Sequence, residues 1–178
     1  MQNQPVTQKS WHVIYTRSRA EKKVRDELEL KNIDCFLPLQ KKLRRWKDRK
    51  KRVQMPLISG YCFVNITHKE YDKVLQTDNV VCYVTFEGKA AIIPEQQMNS
   101  LKKIAQQADF EVTVSHENFK PGQKVEIIAG PMIGLRGELA EARGKQKFII
   151  RFIEINSSFI VEIPAAQLSH LPDPDYSF

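Results

Sequence analysis

The most concentrated chemistry in this sequence is a run of positive charge between residues 41 and 52. A single acid, Asp48, stands among nine basic residues: Lys41, Lys42, Arg44, Arg45, Lys47, Arg49, Lys50, Lys51 and Arg52. Trp46 interrupts the cations, and an indole ring can stack on a nucleobase. Repeated lysine and arginine favour phosphate contact over sequence readout. The run therefore predicts nucleic-acid binding, against the competing interpretation of a solvated loop. The candidate residues are Arg44, Arg45, Trp46, Lys47 and Arg49.

A second basic zone lies at the start of the first predicted helix. It consists of Arg17, Arg19, Lys22 and Lys23. Positive side chains grouped at one end of an element are a second candidate contact for nucleic acid.

An apolar, aromatic stretch follows the basic run directly, from Pro56 to Val64. As a strand it places Tyr61 and Phe63 on one face, and an earlier strand brings Tyr15. Such aromatics are core residues in most domains. On a sheet face that no helix covers, they would instead dock a protein or stack on RNA. Alternation along the sequence leaves both interpretations open.

The residues that usually carry catalysis form no recognisable group. The four histidines, at positions 12, 68, 116 and 170, are scattered and lack metal-ligand spacing. No nucleophile elbow, P-loop, GxGxxG or CxxC motif occurs. A nuclease set of Glu21, Asp26 and Glu29 is less favoured than solvated helix pairs. The sequence predicts a protein that is not an enzyme and has no metal or cofactor.

The first half of the chain has the pattern of a mixed α/β domain. Ser18 and Glu21 have capping-box spacing at the start of a helix that buries Val24 and Leu28 and ends near Asn32. A second capping box, Thr67 to Glu70, opens a short helix, and Pro94 opens a third. The predicted strands are 11–16, 35–39 at an edge, 60–66, 80–86 and 90–93, with the basic run as a loop or hairpin tip. This order, β-α-β-β-α-β and then a helix, predicts a ferredoxin-like fold.

The second half contains only short strands and turns. The strands are predicted at 125–128, 137–142, 147–153, 159–163 and 167–168, after a connector at 112–118. Gly130, Gly134 and Gly137 would supply positive φ angles and close backbone approach in one tight loop. Five short strands in so few residues predict a small closed β-barrel.

Charge and composition agree with two modules. The 178 residues carry a net charge of +7; residues 1–108 hold +10 and residues 109–178 hold −3. The predicted boundaries are a disordered N-terminus at 1–9, domains at 10–109 and 119–172, a linker at 110–118 and a tail at 173–178. Three widely spaced cysteines predict buried thiols in a reducing compartment. Without an apolar targeting or spanning segment, the expected location is the cytoplasm, with no membrane partner.

Several of these stretches resemble the NusG family of transcription elongation factors. The matching segments are Trp11–Thr16 with Glu21, Cys35–Pro38, Ser59–Val64 and Ile93-Pro94, and the segment Pro121–Lys147 resembles a KOW motif. The resemblance implies a NusG-type N-terminal domain followed by a small SH3-like KOW barrel, in a monomer. It implies that Tyr15, Ile58, Tyr61 and Phe63 dock on the β′ clamp helices of bacterial RNA polymerase.

The same resemblance implies further partners. The basic zones would lie near upstream DNA or the non-template strand, and the barrel would recruit a small-subunit ribosomal protein or the termination factor Rho. Housekeeping members usually have Pro-Gly-Tyr where this chain has Ser59-Gly60-Tyr61. That departure favours a specialised antiterminator of the RfaH or UpxY kind. The C-terminal half of this chain is dense in β-branched and aromatic residues. It is therefore expected to form strands and not the helical hairpin that RfaH can adopt.

Two rival functions come from other classes. One is a ribosome-associated or RNA-binding KOW protein, which the −3 balance of the second half disfavours. The other is a nucleic-acid enzyme such as a nuclease, for which the sequence contains no ligand set.

Overall fold

The computed structural model describes residues 8–45, 50–107, 112–116, 122–142 and 145–172; at residues 42–45, 50–52, 141–142 and 145–146 this description is of the backbone alone. The chain forms two compact units, Met1–Leu101 and Lys102–Phe178. Several predictions lie partly or wholly outside the described residues: the disordered N-terminus 1–9, the linker 110–118, the tail 173–178, and Trp46, Lys47 and Arg49.

The first unit is built on an antiparallel sheet with split β-α-β connections. Its strands are β1 Ser10–Thr16, β2 Asp34–Phe36, β5 Tyr61–Ile66 and β6 Val80–Tyr83, in the order β2-β5-β1-β6. Helix α1, Glu21–Leu30, connects β1 to β2, and α2, Tyr71–Leu75, connects β5 to β6. Strand β9, Ile92–Ile93, also pairs with β1. This arrangement confirms the predicted fold class, with β2 at the sheet edge.

Alternation along the central strands separates two faces of this sheet. Ile14, Cys62 and Val64 belong to a buried cluster that includes Val24 and Leu28 of α1. Burying an aliphatic side chain of this size contributes about 1.5–3 kcal/mol, so this cluster holds the helix on the sheet. The helix therefore covers this face, as the 3.6-residue period of α1 predicts.

The opposite face carries the aromatic positions. Val13 pairs with Phe63 and Tyr15 pairs with Tyr61 across β1 and β5, so the four side chains share this face. Near its other end, the Nε1–H of Trp11 donates to the Oε2 of Glu95 over 2.8 Å. Glu95 begins α3, Glu95–Gln106, whose first residues follow Pro94 as predicted.

The described part of the basic run, residues 41–45 and 50–52, lies in two paired strands. Strand β3, Leu39–Arg45, pairs with β4, Lys50–Pro56, in a two-stranded sheet of its own. A second small hairpin joins β7, Thr85–Phe86, to β8, Lys89–Ala90. Its turn residues Glu87 and Gly88 have φ angles of 51° and 78°, as expected for a tight primed turn. The predicted strands 80–86 and 90–93 are thus each divided.

The two predicted capping boxes have different outcomes. At α1 the prediction is wrong: the helix begins at Glu21 with Ala20 as N-cap and no side-chain cap, and the Glu21 carboxylate accepts the Gly60 N–H instead. Asn32, at φ 56°, ends the helix in the left-handed conformation as expected. The second box is confirmed: the Thr67 N–H and hydroxyl donate to the Oε2 of Glu70 over 2.8 and 2.9 Å. The backbone donor in particular lowers the pKa of Glu70 below its ordinary value.

The second unit, beyond α3, is β-rich. Its strands are β10 Val112–Ser115, β11 Gln123–Ile127, β12 Arg136–Ala142, β13 Lys145–Phe152, β14 Ser157–Val161 and β15 Leu168–His170. They pair antiparallel in the order β10-β14-β13-β12-β11-β15. The expected strands are confirmed, and the described residues of this region contain only single helical turns, at Ile153–Ile155 and Ala165–Gln167. Phe148, Phe152 and Phe159 are fully buried and lie in its core.

Two predictions in this unit need correction. Val112–Ser115 was expected to be a connector, but it forms β10 and pairs residue by residue with β14. Gly137 was expected in the turn with positive φ, but it lies in β12. A Cβ there would meet the carbonyl oxygen of Ile149 at 2.6 Å, so close packing explains the glycine. Gly130 and Gly134 do adopt positive φ, 86° and 82°.

No helix in the ranges that the structure describes is both long and apolar enough to cross a bilayer.

Candidate docking and nucleic-acid interface

A pair of tyrosines forms the accessible part of the aromatic sheet face. Tyr15 and Tyr61 are cross-strand partners, with ring centroids 5.7 Å apart at an interplanar angle of 71°. The Tyr15 side chain is 45% exposed and Tyr61 is half-buried. Edge-to-face tyrosines with accessible hydroxyl-bearing rings are typical anchors of protein interfaces.

Gly60 fixes the chain beside this pair. Its φ of 81° is a left-handed conformation that suits glycine, and a Cβ would approach the Tyr15 Cε2 to 3.0 Å. The Gly60 carbonyl accepts the Thr16 N–H over 2.8 Å. Because Gly60 has no side chain, its backbone can lie against the Tyr15 ring, directly before Tyr61 in the chain.

Glu21 holds the other side of Gly60. Its carboxylate Oε1 accepts the Gly60 backbone N–H over 2.8 Å, and the residue is 5% exposed. This buried bond ties the first turn of α1 to the segment that precedes β5. The prediction of a capping role missed it. The available signal was spacing: Glu21, Val24 and Leu28 stand at i, i+3 and i+7, so the acid belongs to the buried stripe.

The other two predicted docking residues are buried. Phe63 is 0% exposed and Ile58 is 3% exposed. A side chain without accessible surface offers a partner nothing to contact, so these residues can only support the tyrosine pair from within. The docking role of the four residues remains a prediction, and Tyr15 and Tyr61 are its accessible members.

The first basic zone lies on the surface and reaches the hairpin. Arg17, Arg19, Lys22 and Lys23 are all exposed. Lys22 Nζ donates to the Gln54 carbonyl of β4 over 2.9 Å, which brings the start of α1 next to the base of the β3–β4 hairpin. Arg44 lies in β3, and Arg45 is its last residue. The two basic zones are therefore neighbours in the fold, although they are separated by some twenty residues in sequence.

The candidate catalytic residues remain dispersed. Among the described residues, no group of three or more His, Cys, Asp or Glu side chains could hold a metal ion. His12 is half-buried, with Nδ1 3.1 Å from the Ala91 carbonyl, and this burial lowers the pKa of the imidazole.

The three cysteines are free thiols. Cys62 is buried and Cys35 half-buried, but Cys82 is exposed, so the expectation of three buried thiols is wrong at that position.

Exposed aliphatic side chains occur in the second unit near the predicted turn. Ile128 precedes the turn that contains Gly130 and Gly134, Ile133 lies within it, and Ile153 lies in the turn between β13 and β14. All three are at least half exposed. Accessible isoleucines on turns offer apolar surface to a protein partner.

Comparison with known proteins identifies relatives of the first unit and of the whole fold. The sequence model of the NusG family, described as transcription termination factor NusG, matches residues 9–102. No curated protein is significantly similar to the chain in sequence. A solved structure on domain interaction in Thermotoga maritima NusG is similar with a TM-score of 0.53 at 21% identity. The match covers 94% of this chain and 99% of that chain. At this identity the likeness supports the fold alone.

Two further solved structures are of the MjSpt4:Spt5 complex, in conformations A and B. Their TM-scores are 0.30 and 0.31, at 15% and 16% identity. The matches cover 90% and 92% of this chain and 97% of each of those chains.

Proposed function

Because the chain belongs to the NusG family of transcription factors, we propose that it acts in elongation and antitermination by binding bacterial RNA polymerase through its first unit. The observation that carries this proposal is the tyrosine pair, Tyr15 and Tyr61, within the segment that the family model matches. The partner surface would be the β′ clamp helices. A helical partner with apolar side chains suits two adjacent aromatic rings, because rings provide large contact area at low entropic cost.

The basic zones give this proposal a second contact. The exposed cations of the first zone adjoin the hairpin that carries the main basic run. With polymerase bound at the tyrosine pair, these cations would neutralise phosphates of upstream DNA or of the non-template strand. Suppression of pausing or termination would follow from holding polymerase and DNA together.

The second unit is proposed to recruit another protein. Its exposed isoleucines lie on turns between strands. Residues 109–178 carry a net charge of −3, which disfavours RNA as the ligand of this unit. A small-subunit ribosomal protein or Rho is the proposed partner. The first domain is proposed to span residues 10–109, and the second to begin with β10 and not at residue 119, because Val112–Ser115 pairs with β14. The protein is proposed to be monomeric and cytoplasmic, without catalytic activity. Ser59 supports a role at selected operons, as in RfaH or UpxY.

The decisive experiment measures affinity for core RNA polymerase. Replacing Tyr15 and Tyr61 together with alanine should weaken binding at least tenfold, since interface aromatics commonly contribute about 2 kcal/mol or more. Replacing both with phenylalanine should preserve most of the affinity, because the rings remain. Phe63→Ala is unsuitable, because emptying a buried aromatic site costs about 3–5 kcal/mol of stability.

Phe86→Ala is the matched control, since Phe86 is an exposed aromatic in the same unit but on the β7–β8 hairpin. Unchanged affinity in the double alanine variant, or equal loss in the control, would refute the docking surface. In vitro transcription with the same proteins should then show less pausing or termination with the wild type than with the double alanine variant.

A further inference from the structure

The β3–β4 hairpin, called the ribbon from here on, has an unusual distribution of charge. Its two strands contain seven cations and no acid, and the distal pairs place like charges directly opposite each other: Arg44 with Lys51 and Arg45 with Lys50. Like charges on directly opposed strand positions destabilise a hairpin. An anionic ligand beside these positions would reduce this repulsion.

The register also distributes the cations over both faces. One face contains the positions of Lys41, Arg45, Lys50 and Arg52, and the other face contains those of Lys42, Arg44 and Lys51. A ribbon that lay on a single phosphate backbone would need cations on one face only. Two cationic faces match a ligand that has phosphates on both sides.

The ribbon is attached at its base and forms no further sheet. The Leu57 N–H donates to the Pro38 carbonyl over 2.8 Å, which closes the base of the ribbon itself. Lys22 Nζ donates to the Gln54 carbonyl over 2.9 Å, which attaches the ribbon to α1. Within the described part of the chain, β3 and β4 pair with each other and join no other strand. Seven residues per strand give a length of about 23 Å.

These dimensions suit the major groove of B-form DNA. That groove is about 12 Å wide and about 8.5 Å deep and admits a two-stranded β-ribbon. We propose that the ribbon inserts edge-on into the major groove of duplex DNA, so that its two faces contact the two phosphate backbones. The proposal rests on the nucleic-acid role proposed above, and it specifies the ligand as duplex DNA. The deep, narrow major groove of A-form RNA would not admit the ribbon.

The test uses the full chain without polymerase and measures the binding of labelled nucleic acids at several salt concentrations. The probes are a mixed-sequence DNA duplex, one of its single strands and an RNA duplex of the same sequence. Tightest binding is expected for the DNA duplex. Comparable affinity for the single strand or for the RNA duplex would overturn groove insertion.

Variants of each face provide the sharper measurement. One replaces Arg45, Lys50 and Arg52 with glutamine, and the other replaces Lys42, Arg44 and Lys51, so that each removes three charges. Each should weaken duplex binding about tenfold or more and should reduce the slope of log affinity against log salt by about 2 to 3, given about 0.9 per phosphate. Loss from one face alone would indicate one-sided contact and would overturn the proposal.

Charge-conserving exchanges of Lys and Arg at the same positions are the control and should retain the affinity. Thermal unfolding of every variant checks that the first unit remains folded. The outcome is separable from the polymerase proposal. A chain that binds polymerase through its tyrosines but does not bind duplex DNA disproves the ribbon model alone. A chain that binds duplex through both faces but not polymerase disproves the docking surface alone.

Discussion

At the scale of single residues, two buried polar contacts organise the tyrosine face. Glu21 accepts the Gly60 N–H, and Gly60 in turn accepts the Thr16 N–H. The helix start, the turn before β5 and the end of β1 are thereby joined at one glycine. This junction lies directly beside Tyr15 and Tyr61, which flank it in β1 and β5.

The Glu21 contact can be tested by removing the acceptor. Glu21→Ala leaves a buried N–H at Gly60 without its partner and should lower the free energy of unfolding by about 1–3 kcal/mol. Glu21→Gln keeps an acceptor oxygen and should cost less. Urea unfolding measures both. Glu29→Ala is the control, because Glu29 is an exposed residue of the same helix, and its loss should cost less than about 0.5 kcal/mol.

The specific readout of the junction is the amide signal of Gly60 in an NMR spectrum. Glu21→Ala should move it, and should weaken polymerase binding under conditions where the variant is still folded. A Glu21→Ala protein as stable as the wild type, with an unmoved Gly60 signal, would contradict this role.

His12 predicts a pH dependence of stability. Burial lowers the pKa of its imidazole in the folded state, with the Ala91 hydrogen bond opposing this in part. The imidazole has a pKa of about 6.5 in the unfolded protein. Above that pH, His12 is neutral in both the folded and the unfolded protein, and its contribution to the free energy of unfolding is fully present. As the pH falls through that value, the unfolded state binds the proton first, so stability decreases until the folded pKa is passed.

Urea unfolding at pH 7.5, 6.5 and 5.5 should therefore show a larger loss of stability for the wild type than for His12→Asn. Asparagine is chosen because its side-chain N–H can donate to the Ala91 carbonyl in place of the imidazole Nδ1–H. An NMR titration that gives His12 a pKa at or above 6.5 would contradict the prediction.

At the scale of elements, the surrounding strands determine the structural role of individual glycines. Gly137 packs against β13, where a Cβ would meet the Ile149 carbonyl and the Phe148 ring. Gly88, in contrast, has positive φ and open space around its Cα. The same residue type therefore serves close packing in one hairpin and backbone conformation in another.

Gly137→Ala should destabilise the second unit by about 1–3 kcal/mol, because the backbone of β13 must shift to admit a methyl group. Gly88→Asn is the control and should be close to neutral, since asparagine tolerates the left-handed conformation. Thermal unfolding followed by circular dichroism measures both. An unchanged melting temperature for Gly137→Ala would argue against the tight approach of β12 and β13.

At the scale of the whole molecule, the positive charge is concentrated in the first of the two units. The first 108 residues carry +10 and contain the tyrosine pair, both basic zones and the ribbon. Residues 109–178 carry −3 and include the strands of the β-rich second unit and its exposed isoleucines. Two units with opposite charge and different accessible side chains are suited to different partners, which is the organisation that the proposed function requires.

The sequence by itself determined most helices and strands of both units, but it missed β10 and left open whether the basic run forms a hairpin. Those features follow from local periodicity and turn chemistry: alternation in β1 and β5, the helical spacing of Val24 and Leu28, and the Thr67–Glu70 box. It also located the basic run and the aromatic stretch, because charge and ring content are properties of composition.

Tertiary structure alone decided which of the predicted residues are accessible, which strands pair, and which polar groups form hydrogen bonds. Phe63 and Tyr61 are both aromatics of β5, and only the surroundings of each make Phe63 buried and Tyr61 half-buried. Glu21 bonds to a backbone group 39 residues away, and Val112–Ser115 becomes a strand because β14 is there to pair with it. Such contacts join distant parts of the chain, so no local pattern specifies them.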